Sequence, residues 1–197
     1  LYRGLRAVPG VARAANATYF TMQVRRTGGD VRSMVVGVVP GLPGEPGQPG
    51  YLVAGRHITR GHYEAVADVT AGLRLGERIR IRRQHYTVVG LTRRMVSSGG
   101  DPMVFIPLKD AQAEQFLKDN DAIVRQRRRT AANPAFNRPG VPDLLDAVNA
   151  SQSTNAYVNA VLVQLTPGRD PESVAADIRR WKRLAVFTRA QMERILV

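Results

Sequence analysis

From Thr18 to Arg26 apolar and polar side chains alternate, with Phe20, Met22 and Val24 on one face and Tyr19, Thr21, Gln23 and Arg25 on the other. A period of two is that of a strand with one buried face. Thr27-Gly-Gly-Asp30 supplies residues tolerant of positive φ, and Arg32 to Val39 then resumes as an apolar run rich in β-branched side chains. The pattern predicts a hairpin, preceded by a short helix-compatible stretch. Pro40 to Gly50 concentrates proline and glycine without a collagen period. Such a segment holds neither a helix nor a central strand and reads as a loop or boundary at which the chain leaves its first subdomain.

Between Tyr51 and Leu108 the elements are short. A strand is expected near Ala65 to Val69, followed by a turn of helix through Leu73. Arg78-Ile-Arg-Ile-Arg82 alternates strictly, and Tyr86 to Leu91 pairs with it across Arg83-Gln84-His85. Val104 to Ile106 is a third apolar strand, so this segment makes a small, partly closed sheet. Pro107 opens a helix that carries Leu108, Ala111 and Gln115, continues over Leu117 to Val124 and decays into the arginine run. Asp143 to Val148 adds a short helix.

The last unit has the clearest signals. Tyr157 to Leu165 is apolar on both sides, the mark of a strand central in a covered sheet. Pro167 to Asp170 turns the chain, Asp170 can cap a helix and Pro171 fits its first position. Val174, Ile178 and Trp181 then fall on one stripe, with Trp181 as a core anchor, and Leu184 to Phe187 closes a β-α-β unit. Parallel strands need a larger sheet, which the amino-terminal hairpin can supply. The expected fold class is α+β, a split α/β core formed by both chain ends with an inserted, mostly β subdomain.

Composition narrows the function. The chain has 197 residues, 44% of them hydrophobic, enough to bury a core without staples. It has no cysteine, which excludes disulfides, thiolate metal sites and a Cys nucleophile. No apolar run is long enough to span a bilayer. Leu1 in place of a starting methionine leads to the expectation that the chain is a segment of a longer protein.

The 29 Lys and Arg against 16 Asp and Glu give +13, compatible with nucleic acid or an anionic membrane surface. The arginines are scattered, with one cluster at Arg125, Arg127, Arg128 and Arg129 that reads as a solvated loop. His57, His62 and His85 do not pair at helical metal-site spacing, and the phosphate-binding and nucleophile-elbow motifs are missing. Asp68, Glu77, Asp101 and Asp110 stand at element edges, where capping and turn roles are expected. No catalytic residue, metal or cofactor is assigned, and the chain is not expected to be an enzyme. Two other readings stand beside this one, a basic nucleic-acid-binding domain and a receptor or enzyme whose pocket uses backbone polar groups.

Several segments, in order, carry a family resemblance: Gly55-Arg-His-Ile58, Ala65-Val-Ala-Asp68, Leu75-Gly-Glu-Arg-Ile-Arg-Ile81, Tyr86-Thr-Val-Val-Gly-Leu91, Asp101 to Gln112, and Asn159 to Asp170 with Val186-Phe-Thr188. Together they resemble the periplasmic core domain of MacB/FtsX-type ABC transporter permeases. The resemblance implies a porter-like α/β part from residues 1–40 and 155–197 and an inserted part from 41–154, lying between the first and second membrane helices of a permease in the bacterial inner membrane. It implies a non-catalytic role in export, in which ATP-driven movement passes through the domain. The implied partners are a cytoplasmic ABC ATPase, a second permease copy and, in several branches, a periplasmic adaptor, with no nucleic acid. Partner contacts are expected at Ser97, Ser98, Gly99, Gly100 and Asp101 and at Arg125, Arg127, Arg128 and Arg129.

Overall fold

Val11–Arg26 forms one strand of 16 residues, β1, and the rest of the fold is organised along it. The computed structural model describes residues 2–41, 45–115, 125, 128–135, 144, 148, 158–181 and 184–195. A short helix α1 (Tyr2–Arg6) precedes β1, and β2 (Gly29–Val38) returns against its second half, pairing from Arg26↔Gly29 to Ala17↔Val38. Then follow β3 (Leu52–Gly55), β4 (Glu64–Asp68), a 3-10 turn (Val69–Ala71), β5 (Arg78–Ile81), β6 (Gln84–Thr92), β7 (Met103–Pro107) and α2 (Leu108–Gln115). The described carboxyl-terminal part is β8 (Ala160–Leu165), α3 (Pro171–Arg179) and α4 (Arg189–Ile195). The class is α+β, as the pattern predicts.

The strands close on themselves. β1 pairs with β2, β2 with β7, β7 with β4, β4 with β6, β6 with β5, and β5 returns to β1 at Val24↔Ile81. Closure removes open edges from these strands. Val24, Val35, Ala65, Ala67, Ile79, Ile81, Val88, Val104 and Ile106 fill the interior, all essentially sealed from solvent. Each buried aliphatic side chain contributes roughly 1.5–3 kcal/mol. Ala111 of α2 packs into the same cluster.

The first half of β1 leaves this ring and pairs instead with β8, from Val11↔Leu165 to Ala17↔Ala160. There Leu5 of α1, Val8 just after it, and Val174 and Ile178 of α3 pack against Val11, Val161 and Leu165. Asp170 caps α3, accepting from Glu172 and Ser173 N–H at 3.4 and 2.8 Å, with Pro171 in the first turn as expected.

The contacts divide the chain into Leu1–Ala111 with Val158–Val197 and Gln112–Tyr157. The expected division, 1–40 with 155–197 against 41–154, differs because β4 to β7 complete the ring that β1 and β2 begin, so the chain does not leave its first body at the Pro/Gly segment. In the second unit residues 128–131 are helical, where a loop is expected; Ala132 N–H bonds Arg128 C=O at 2.9 Å. The expected helices over Leu117 to Val124 and Asp143 to Val148 lie mostly outside the described residues.

Four local expectations need correction. β8 is not central, for β1 is its only partner among the described strands. It is apolar on both sides because helices cover one face and the Pro/Gly segment approaches the other, a Cβ at Gly47 falling 2.8 Å from Leu162 Cδ1. Leu184 to Phe187 forms no strand: Leu184 and Val186 pack under α3, and the Arg179 guanidinium donates to Val186 C=O at 3.0 Å, occupying an acceptor that a ladder would use. Trp181 is no core anchor; it is 39% exposed and lies over Gly4 of α1. The β5–β6 turn is Arg82-Arg83, not 83–85, with Arg82 at φ +47°, a conformation that its sequence does not announce.

Candidate functional site

The loop from Arg56 to Glu64 is organised by two buried carboxylates. Glu64, the first residue of β4, is 4% exposed, and its oxygens accept from Arg56 Nη1 and Nη2 at 3.0 and 2.5 Å and from the N–H groups of Thr59 and Arg60 at 2.9 and 3.0 Å. The Arg56 fork, helped by the two backbone donors, holds this carboxyl down at about 2 against the opposing effect of burial. Arg56 is in turn pushed up by Glu64. Such a carboxyl stays ionised and cannot serve as a proton donor near neutral pH.

Asp110, expected to cap, instead reaches out of α2. It accepts from Tyr63 N–H at 2.8 Å and lies 2.5 Å from His62 Nδ1. Tyr63 sits at φ +62°, a left-handed conformation that costs a β-carbon residue about 1 kcal/mol or more. It is held there by Asp110 and by the bond from Thr87 N–H to its carbonyl at 3.0 Å. The result is outward presentation: Tyr63 is 52% exposed and stands with Arg56, Arg60, His62, Thr87 and Val89 around a cleft of about 510 Å³.

Two glycines of the resemblance segments, Gly55 and Gly90, make this geometry possible. Gly55 and Gly90 are partners across β3 and β6, and a Cβ on either would lie 2.3 Å from a backbone carbonyl, that of Val89 or of Arg56. Only a bare Cα lets the strands pass so closely.

The second loop is the expected contact segment Ser97 to Asp101, which adjoins the outer face of the same ring. Ser97 N–H donates to Asp101 C=O at 2.8 Å, Gly100 N–H to Ser97 C=O at 2.9 Å, and Asp101 N–H to Ser97 Oγ at 3.1 Å. This tight turn closes the Val96↔Pro102 bridge. Arg32 Nε holds the Asp101 carboxylate at 3.2 Å, and Asp68, capping the 3-10 turn as expected, also accepts from Met95 N–H at 2.7 Å. Ser98, Gly99 and Gly100 are exposed, whereas Ser97 is buried and Asp101 partly so. Ile58 of the first loop and Met95 and Met103, which flank the second, pack on one cluster with Val36, Val66 and Phe105. Both loops therefore stand on a common apolar base. Its methionines can adapt to a partner's shape, and Val96 beside them is 44% exposed.

Arg125, Arg128 and Arg129 are exposed in the second unit; Arg127 lies outside the described residues. Among the described residues no group of three or more His, Asp or Glu side chains could hold a metal ion. Sequence reasoning missed the Arg56–Glu64 and His62–Asp110 pairs. Arg56 appears in it only within the resemblance, and the second pair joins residues 48 apart that only the fold brings together.

The sequence matches none of the curated proteins compared with it. The sequence model of the MacB-like periplasmic core domain matches residues 1–181. Among solved structures, the periplasmic region of MacB from Actinobacillus actinomycetemcomitans superposes with a TM-score of 0.55 at 10% identity, over 99% of this chain and 80% of that one, a likeness of fold. The extracellular domain of the noncanonic ABC-type transporter YknZ from Gram-positive bacteria gives 0.44 at 16% identity, over 83% and 86%. A domain of a putative permease from Porphyromonas gingivalis gives 0.48 at 15%, over 99% and 88%.

Proposed function

Because the chain belongs to the family of MacB-like periplasmic core domains, the periplasmic part of a membrane ABC transporter permease, we propose that it transmits ATP-driven movement and meets its partner through the two loops described above. The observation that carries this reading is β1. A strand of 16 residues, roughly 50 Å long, joins the layer of α1, α3 and β8 to the closed ring without interruption. Displacement of that layer therefore moves the ring as one stiff body. The permease lies in the inner membrane as a dimer, driven by a cytoplasmic ATPase.

The exposed residues of the two loops, Arg60, Tyr63, Val96 and Ser98 to Gly100, are the contact surface for an exported substrate or a periplasmic adaptor. Tyr and Arg in rigid settings are the residue types that dominate interface energetics. Together with Asp101, the exposed arginines Arg125, Arg128 and Arg129 and the neighbouring Arg127 extend this proposal.

In the full permease with its ATPase, the double variant Arg60→Glu, Val96→Asp is expected to reduce transport at least about tenfold at unchanged membrane level, since truncating central interface residues costs about 1–2 kcal/mol each. Transport at the unaltered rate contradicts the contact surface.

A further inference from the structure

We propose that the outer face of the β5–β6 hairpin, with the adjoining end of β1, binds an extended phosphodiester polymer without bases, a polyol-phosphate chain. This surface is distinct from the two loops above, and its binding is independent of transmission through β1.

The face is built by alternation. In β5, Ile79 and Ile81 turn into the ring and are sealed, so Arg78 and Arg80 turn outward and are exposed. Across the ladders Arg80 stands opposite Arg25 of β1 and opposite His85 of β6, both exposed, and the exposed Arg82 and Arg83 follow at the hairpin turn. Arg78 stands opposite Thr87, which lines the cleft beside Tyr63, so the strip runs from the turn to the cleft. Arg78 and Arg80 are roughly 7 Å apart along the strand, and neighbouring strands are about 5 Å apart. Arg25, Arg78, Arg80, Arg82 and Arg83 therefore gather their charges on one outer face.

Two local rules are broken to place them there. Like charges directly opposite one another on adjacent strands are unfavourable, and the register sets Arg25 against Arg80. Arg82 takes φ +47°, a conformation that suits glycine or asparagine and costs a residue with a β-carbon about 1 kcal/mol or more. The chain does not neutralise the result. Arg32, Arg56, Arg60, Arg179 and Arg180 each meet a carboxylate. Among the described residues no carboxylate is paired with Arg78, Arg80, Arg82 or Arg83, and Arg25 meets Asp30 only at 3.8 Å. Glu77, the one carboxylate between Arg74 and His85, accepts from Arg74 N–H at 2.9 Å. Arg80 Nε donates to Arg82 C=O at 2.8 Å, which fixes that guanidinium on the face. Local conflicts of this kind mark functional surfaces, and a bound anion relieves the repulsion.

What else the strip lacks selects the anion. Among the described residues no exposed Phe, Tyr, Trp or large aliphatic side chain belongs to it. A protein partner would need an apolar or aromatic centre, and the bases of a nucleic acid would need rings to stack on. A polyol-phosphate chain needs neither. Each phosphate can take a guanidinium fork, and charge repeated along the polymer meets charge repeated along the strip.

Poly(glycerol phosphate) with a fluorophore at one end is titrated with the 197-residue chain, and anisotropy reads binding between about 50 and 200 mM salt. Each neutralised phosphate of a single-stranded polyanion adds roughly −0.7 to the slope of log K against log salt, so the strip is expected to give about −3 to −3.5. Arg78 and Arg83 are exposed. The double variant Arg78→Gln, Arg83→Gln is expected to bind at least about tenfold more weakly at the lower salt and to flatten the slope by about 1.4, with an unchanged circular dichroism spectrum. The variant Arg3→Gln, Arg194→Gln removes the same charge from exposed positions of α1 and α4 and is expected to change binding less than about threefold. Equal loss in the two variants means attraction to net charge alone and overturns the proposal, as does the absence of binding at the lower salt. Tighter binding of a single-stranded oligodeoxynucleotide or of polyglutamate of the same charge number also overturns it, assigning the strip to nucleic acid or to an acidic protein. None of these results bears on the transmission reading, which is tested by distances within the assembled permease.

Discussion

Replacing Gly37 by valine is expected to destabilise the chain by about 3 kcal/mol or more, lowering its melting temperature by roughly 10 °C. Gly37 lies in β2 where α2 crosses the ring. A Cβ there would fall 2.4 Å from Ala111 Cβ and 2.9 Å from Thr18 Cγ2, with Leu108 Cδ1 at 3.3 Å. Ala111 and Thr18 are both sealed from solvent, and the nearest atom is itself a Cβ, fixed to its backbone. The Ala111 Cβ cannot rotate away, so the helix must lift from the sheet and uncover the interior cluster it helps to close. Gly61→Ala is the matching control, because a Cβ there would meet nothing within 4 Å and the residue's φ is ordinary; a change within about 0.5 kcal/mol is expected. Calorimetry on the three proteins checks both. Equal melting temperatures would mean that α2 does not bear on Gly37.

The second large effect is in acid. Glu64 is held at about 2, below its ordinary 4.5, chiefly by the Arg56 fork. A carboxyl with a depressed value in the folded state contributes stability above its unfolded value and loses it as pH falls toward the folded one. The contribution is therefore complete above about pH 5 and fades between 4.5 and 2. Its size is roughly 2–3 kcal/mol, the lower part of the range allowing for the half-exposed guanidinium. Glu64→Gln is expected to be less stable than the parent by that amount at pH 7 and to converge on it near pH 2. Urea unfolding across this range measures the difference, in which other titrating groups cancel. Parallel curves at every pH would contradict the assignment.

Much of the fold was legible because local pattern and tertiary role agree. The alternation from Phe20 to Val24, the glycines of the first turn, Asp170 with Pro171 and the Val174–Ile178 stripe each specify their element and are found in it. What escaped sequence reasoning depends on partners distant in the chain. β8 is apolar on both faces, which reads as central, yet the second cover is the segment around Gly47 and not another strand. Ring closure rests on the two-residue pairing of Val24 and Arg25 with Ile81 and Arg80, too short to leave a signal of its own. The two loops of the candidate site were half legible. The turn at Ser97 to Asp101 follows from its glycines, but the Arg56–Glu64 loop owes its shape to ion pairs and to Tyr63 in a left-handed conformation that favours glycine or asparagine.

Transmission through a rigid β1 is tested most directly by distances in the assembled permease dimer with its ATPase. The chain offers no cysteine of its own, so Gln23→Cys in the ring half of β1 and Gln164→Cys on β8, both exposed, can each carry a spin label. The account predicts that ATP binding changes the distance between the two Gln23 labels of the dimer while the Gln23 to Gln164 distance within one protomer stays fixed. A fixed distance between protomers, or a changed one within the protomer, would contradict it.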